Sequence, residues 1–168
     1  MIIRNYLDDD LDACRELWVQ LTETHREIYE APDIGGDNPG LQFDQQLSKV
    51  GSERIWVADD ANAIVGMIGI QPGSDEGSVE IEPLVVNPEA RGRGVGKALV
   101  QHVLEVIKSM GLRDLNVRVV ARNAEAIRFY HDIGFDVIGY LELFYDTSPR
   151  DEQAWREAET VAGRRFRV

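Results

Sequence analysis

Between an Ile- and Val-rich run that ends at Val86 and a long amphipathic segment lies Arg91-Gly92-Arg93-Gly94-Val95-Gly96-Lys97, with a glycine at every second position. Glycine lets a backbone approach a ligand closely. The first turn of a helix also leaves its N–H groups unpaired beside the positive end of the helix dipole, so a pyrophosphate suits such a turn. Arg91, Arg93 and Lys97 add positive charge on a chain whose formal net charge is -12. A nucleotide-triphosphate loop is excluded, because Arg91 stands where its first glycine belongs and Ala98 where its metal-binding hydroxyl belongs. A dinucleotide fingerprint begun at Gly92 or Gly94 fails too, since Lys97 and Leu99 occupy the places of its last glycine. A plain strand-to-helix turn would need one glycine rather than three.

Upstream, Val79-Glu80-Ile81-Glu82-Pro83 alternates in the manner of a strand. Val79 and Ile81 fall on one face, and Glu80 and Glu82 fall on the other as two candidate proton acceptors. Solvation of an exposed sheet face is the plainer reading of either glutamate. Pro83 has no N–H to donate, so it belongs at a bulge or where neighbouring strands part. Downstream, Asn123 suits a helix N-cap, and Tyr130 lies in register with Ile127 and Ile133, as a packed core tyrosine would. His25, His102 and His131 lack metal-ligand spacing, and Cys14 shares the apolar stripe of its helix. Neither a metal ligand nor a cysteine nucleophile is expected.

The elements that must position these residues are legible from periodicity. Leu11, Cys14, Leu17, Trp18 and Leu21 recur at helical spacing after the cap candidates Asp8, Asp9 and Asp10. Residues 31–40 hold Pro32, Gly35, Gly36, Pro39 and Gly40 and form a loop. Phe43, Leu47 and Val50 predict a short helix that Gly51 ends. Residues 54–58, 63–71 and 78–86 predict three antiparallel strands in series. Val95, Ala98, Leu99, Val103, Val106, Ile107 and Met110 predict a long helix stopped by Gly111. A strand over 115–120, a helix ended by Gly134 and one or two strands over 135–145 follow. The tail is expected to be helical around 152–160, with a short strand over 165–168.

Composition sets the frame. The chain has the length of one compact domain, and its 43% apolar and 29% charged residues fit an ordinary globular protein. The net negative charge disfavours nucleic acid and anionic lipid. A single cysteine suits a reducing compartment, so a cytoplasmic location is expected. Residues 1–5 are too short an apolar stretch for a signal peptide, and charged residues interrupt every later run before membrane-spanning length.

Arg91-x-x-Gly94-x-Gly96, preceded by Val86-Asn87-Pro88, resembles the coenzyme A pyrophosphate motif of the GNAT N-acetyltransferase superfamily. Asn123, Tyr130 and the ending Phe129-Tyr130-x-x-x-Gly134-Phe135 resemble the next motif of that family, and the element order is similar as well. The resemblance runs from Ile2 to about Tyr145. It implies a mixed α/β (α+β) fold, with a mostly antiparallel central sheet, a splayed strand pair and about four flanking helices. It further implies a GNAT domain over 1–146 with a C-terminal extension over 147–168 packed on it.

The activity implied by the resemblance is acetyl transfer from acetyl-coenzyme A, as co-substrate, directly to a bound primary amine, with no metal. Pantetheine would pair with the backbone of Leu84, Val85 and Val86, with the Val86 N–H on the thioester oxygen. Pyrophosphate would lie on Arg91, Gly92, Arg93, Gly94, Val95, Gly96 and Lys97. Asn123 would touch the pantetheine arm while capping its helix. Glu80, Glu82 or a water chain would take the proton, and Tyr130 matches the family's general acid. Acidic residues in the acceptor region, Glu23, Glu27, Glu30, Asp33 and Asp37, with Glu142 and Asp146 on the far side, favour a cationic small-molecule or peptide acceptor. A different acyl group, a hydroxyl acceptor and an acyl-coenzyme A sensor without turnover stay open. The resemblance leaves room for a homodimer.

Overall fold

The computed structural model describes residues 1–145, 147, 157–161 and 163–167. The chain forms two compact units, Met1–Arg118 and Val119–Val168, each described by itself.

The first unit begins with strand β1 (Ile2–Asn5), a 3-10 turn over Asp8–Asp10 and helix α1 (Leu11–Tyr29). After the Gly- and Pro-rich loop come α2 (Leu41–Val50), β2 (Ile55–Asp60), β3 (Ala63–Pro72), β4 (Ser78–Val86), α3 (Val95–Ser109) and β5 (Asp114–Val117). The five strands make one sheet in chain order, antiparallel from β1 to β4 and parallel between β4 and β5. The β2–β3 hairpin turns on Ala61 and Asn62, both at positive φ (56° and 68°), and the Asn62 amide donates to Asp59 Oδ1 at 2.9 Å. A two-residue turn of that hand matches the right-handed twist of the strands it joins.

Strand alternation sorts the core onto two faces. Val57, Met67 and Val85, in register across β2, β3 and β4, pack with Cys14, Leu17 and Trp18 of α1 and Phe43 and Val50 of α2. On the opposite face, Trp56 meets His102 of α3 edge-on at 5.8 Å. A Cβ built on Gly66 would come within 3.2 Å of Val95 and Leu99 and 3.0 Å of the Val85 carbonyl, so this glycine seats the start of α3 close against the sheet.

A partly buried ion network ties β1 to the start of α1. Arg4 binds both oxygens of Asp10 (2.7 and 2.8 Å) and reaches Asp59 of β2 at 3.1 Å. Asp10 also accepts the Leu7 amide at 2.8 Å. These bonds favour the carboxylate, and the Asp10 pKa is held below its usual range chiefly by Arg4.

The second unit contains α4 (Ala124–Asp132) and a hairpin of β6 (Glu157–Val161) and β7 (Arg164–Arg167). Three sequence expectations change here and at the unit boundary. The strand expected over 115–120 ends at Val117, because β4 offers no pairing beyond Ile81. Residues 135–145 form no strand, and the large apolar side chains from Val137 to Tyr145 are exposed; strand-favouring residue types alone supply no partner ladder. In the tail, residues 157–161 are extended rather than helical, with β-branched Thr160 and Val161 ahead of Gly163 at φ 73°. The strand expected at the tail end is present as β7. The 152–156 part of the expected helix lies outside the described residues, with Asp146, residues 148–151, Ala162 and Val168.

Replacing Asp10 with Ala should lower unfolding free energy by about 2–4 kcal/mol, because Arg4 is left without its bidentate partner. In the wild type this contribution is full above the ordinary carboxylate range and is lost as pH falls through the depressed pKa. Urea melts of both proteins at neutral and acidic pH would therefore converge at low pH.

Candidate functional site

The site is built around an irregularity in β4. Ile68 pairs with Leu84 and Ile70 with Ile81, so β4 carries one residue more than β3 across this stretch. The extra residue lies at Glu82-Pro83-Leu84, where the missing Pro83 N–H leaves least to lose. On the other edge β4 pairs with β5 only up to Ile81 opposite Val117. The strands part at Pro83, as its residue type predicts.

Past this point the edge of β4 that faced β5 is open among the described residues. Asn87 donates its amide to Val65 of β3 at 2.9 Å. By strand alternation the Val85 amide also points to β3, and the amides of Leu84 and Val86 point the other way, into the gap. Val85 is thus committed to the ladder, and its side chain to the core. The Val86 carbonyl faces outward too and accepts Arg91 Nε at 3.4 Å.

From Val86 the chain passes through a 3-10 turn over Pro88–Ala90, capped by Asn87, into the glycine-rich segment. Gly92 and Gly94 stand at φ 71° and 82°, and a Cβ on either would meet no atom within 4 Å. Open space and left-handed backbone together account for both glycines. Gly94 is the N-cap of α3, and the first amide bonded to a carbonyl of this segment is that of Ala98, to Gly94 at 3.0 Å. Among the described residues, no backbone carbonyl accepts from the amides of Gly92 through Lys97. Arg93 is held by Asp60 at 2.9 Å, and Asp60 also binds the Met1 amino group at 3.4 Å.

Glu80 and Glu82 have different surroundings. Glu80 is 6% exposed, which removes the solvated-face reading, and its carboxylate meets Arg118 Nε at 3.4 Å. Glu82 is half-buried and lines a cleft of about 350 Å³ with Gln42, Gln45, Gln46 and Lys49 of α2 and Gln71 of β3. Burial pushes the Glu82 pKa above the usual carboxylate value, and the negative charge of Glu80 pushes it the same way; Lys49 and Arg118 oppose. Gln46 donates to the Glu82 carbonyl at 3.0 Å and so fastens α2 to the irregular strand.

The sequence model described as the Acetyltransferase (GNAT) family matches residues 12–135. The chain belongs to the GNAT acetyltransferase family. A GNAT acetyltransferase from Staphylococcus aureus superposes with a TM-score of 0.68 at 18% identity, covering 89% of this chain and 93% of that one. The PaiA N-acetyltransferase of Thermoplasma acidophilum, solved in complex with coenzyme A, gives 0.66 at 20% identity, covering 82% and 90%. At these identities the likeness is one of fold. An uncharacterized protein of Mycobacterium leprae is 30% identical over 93% of this chain but only 40% of its own length. An uncharacterized N-acetyltransferase of Escherichia coli, YjgM, is 30% identical over 61% of this chain and 63% of its own length.

On this GNAT fold, the first unit brings together the glutamates, the open edge of β4 and the glycine turn. Asn123 and Tyr130 lie in the second unit. Asn123 Oδ1 accepts the Ala126 amide at 2.9 Å, as a helix cap does, and Tyr130 is buried with its ring edge-on to Phe129 (5.1 Å) and Phe135 (5.4 Å). Cys14 is fully buried and its thiol pKa is pushed up to about 12 by burial, which makes it inert. Among the described residues, no group of three or more His, Cys, Asp or Glu could hold a metal, and no helix is long and apolar enough to cross a membrane. Sequence reasoning missed the cleft wall of α2 and missed Arg118. The spacing of Gln42, Gln45, Gln46 and Lys49 could have exposed the wall, since it places them on one helix face.

Because folding favours the protonated form of Glu82, its contribution to stability is full below the unfolded pKa and is lost as pH rises through the raised folded pKa. Glu82→Gln mimics that form, so its melting temperature should exceed that of the wild type at about pH 8, and the gap should close in acid. Calorimetric scans across pH check both the sign and the trend.

Proposed function

We propose that the chain is an acetyltransferase that moves acetyl from acetyl-coenzyme A to a primary amine by direct attack within a ternary complex, and that residues 1–146 carry this work. The observation that supports it most is the continuity of one row of unspent backbone donors. The row starts with Leu84 and Val86 in the gap between β4 and β5 and resumes at the amides of Gly92 through Lys97. Donors at the front of a 15-residue helix, with glycines that leave the approach clear, fit a diphosphate.

Acetyl-coenzyme A supplies a thioester. The Val86 amide, aimed into the gap, donates to the thioester oxygen and stabilises the oxyanion as the amine nitrogen bonds to the carbonyl carbon. Glu82 accepts the proton that the attacking ammonium must lose, and a raised pKa brings that carboxylate closer to neutrality, where a base works best. Glu80, paired with Arg118, acts on Glu82 through its charge, as a positioning residue. The carbon–sulfur bond breaks, and Tyr130 is assigned by family resemblance to the departing thiolate. Arg91, Arg93 and Lys97 contribute charge toward the phosphates, with Arg93 exchanging Asp60 for ligand.

Release of free thiol from acetyl-coenzyme A, followed over a panel of amines, tests the assignment. Glu82→Gln should cost roughly 10²- to 10⁴-fold in kcat/KM, and in the wild type the rate should rise with pH through a value above the ordinary carboxylate range. Gly94→Ala should weaken coenzyme A binding by about tenfold in calorimetry while lowering Tm by only about 2–8 °C, because φ strain of about 1–2 kcal/mol and the new Cβ are all that act. Failure of the purified protein to bind coenzyme A or its acyl esters would overturn the proposal.

A further inference from the structure

The cleft beside Glu82 has an unusual lining for so acidic a protein. Gln42, Gln45, Gln46 and Lys49 are spaced i, i+3, i+4 and i+7 on α2, and all four line it. The adjoining stripe of the same helix, Phe43 and Val50, is buried in the core, and Asp44 is turned away to Arg15 at 2.7 and 2.9 Å. The wall therefore presents three carboxamides and one ammonium. Gln71 and Trp18 complete the lining, so its formal charges are one cation, Lys49, and one anion, Glu82. The cleft is neutral in a chain of net charge -12.

The polar groups are also held in place. Trp18 Nε1 donates to Gln42 Oε1 at 3.4 Å, and Gln42 Nε2 donates to the Gly35 carbonyl at 3.3 Å. Gln46 is 7% exposed and fixed on the Glu82 carbonyl. Lys49 Nζ donates to Gln71 Oε1 at 2.7 Å, which uses one of its three protons and leaves the Gln71 NH₂ as a donor. Among the described residues, no carboxylate lies within ion-pair distance of Lys49. The cleft thus offers N–H donors with a positive charge at Lys49 and Gln71, and a carboxylate at Glu82. Three of the acidic residues that suggested a cationic acceptor lie elsewhere in the first unit: Asp33 and Asp37 line a separate hollow of about 480 Å³ with Arg26, and Glu23 pairs with Arg26 at 2.7 Å.

From this lining we infer that the acceptor is a small zwitterionic amine, an amino-acid-like molecule whose carboxylate docks on Lys49 and Gln71 while its amine is presented to Glu82. The inference rests on the acetyltransferase assignment above and deepens it. A purely cationic amine would meet Glu82 but would also meet the unpaired Lys49, whereas a carboxylate next to the amine satisfies both poles. The surrounding carboxamides accept or donate without adding charge, so they fit the polar body of such a molecule in either orientation.

The experiment compares kcat/KM for three acceptors of matched size in the thiol-release assay: an amino acid with a free carboxylate, its methyl ester, and a diamine. The amino acid should exceed both others by about tenfold or more, the scale of one charge-assisted hydrogen-bond pair. Lys49→Met should abolish that margin chiefly through KM, and Lys49→Glu should reverse it in favour of the diamine, with Tm confirming that this exposed position leaves the fold intact. Preference of the wild type for the ester or the diamine, or a margin that survives unchanged in Lys49→Met, overturns the inference and leaves the acetyltransferase assignment standing. Absence of transfer to any amine by protein that still binds acetyl-coenzyme A overturns both.

Discussion

β4 has a partner on each edge only as far as Ile81. Beyond it, Pro83 has no amide to give, the strand takes up one extra residue against β3, and the parallel neighbour β5 ends at Val117. Buried backbone donors are normally spent on a ladder, so an opened edge inside a sheet is a standing demand for hydrogen-bond acceptors. The proposed chemistry depends on that demand. The same irregularity swings the sheet's alternation, so that Glu82 and Val85, three residues apart, both face α1 and α2. A carboxylate is thereby set beside the gap while the hydrophobic core continues past it.

Charge is distributed differently around the glycine turn and around the parted strands. Around the glycine turn stand the cations Arg91, Arg93 and Lys97, and Asp60 holds Arg93. Around the parted strands, two glutamates lie two residues apart on the same face: Glu80, the more buried of the two, engages Arg118, and its negative charge adds to partial burial in raising the pKa of Glu82. Like charges so placed push one partner toward neutrality, which is how a carboxyl group becomes useful as a base near physiological pH.

Much of this was legible in the sequence because it is written in local rules. The left-handed glycines at 92 and 94, the cap at Asn123, the stop at Gly111 and the strand break at Pro83 each follow from what one residue type can or cannot do. The helices α1 and α3 and the strands β2, β3 and β4 follow from periodicity over enough residues to be unambiguous. What was missed depends on partners distant in sequence. Residues 135–145 are rich in the β-branched, aromatic and aliphatic types that strands favour but form no ladder, and the tail residues 157–161 have helix-compatible composition yet pair with β7. The burial of Glu80 and the assembly of α2 against Gln71 and Glu82 are likewise products of the tertiary fold, and periodicity reported only that α2 has a polar side.

Gly69 adds a constraint on how such a cleft can change. A Cβ there would stand 2.6 Å from the carbonyl oxygen of Glu82, the atom on which Gln46 is anchored. No side chain fits, so the strand wall of the cleft is a fixed template. The helix wall is different: Gln45 and Lys49 sit on the solvent side of α2, away from the packed core. Descendants or designs of this scaffold can therefore retarget what enters the cleft by rewriting a few helix positions while β3 and β4 stay as they are.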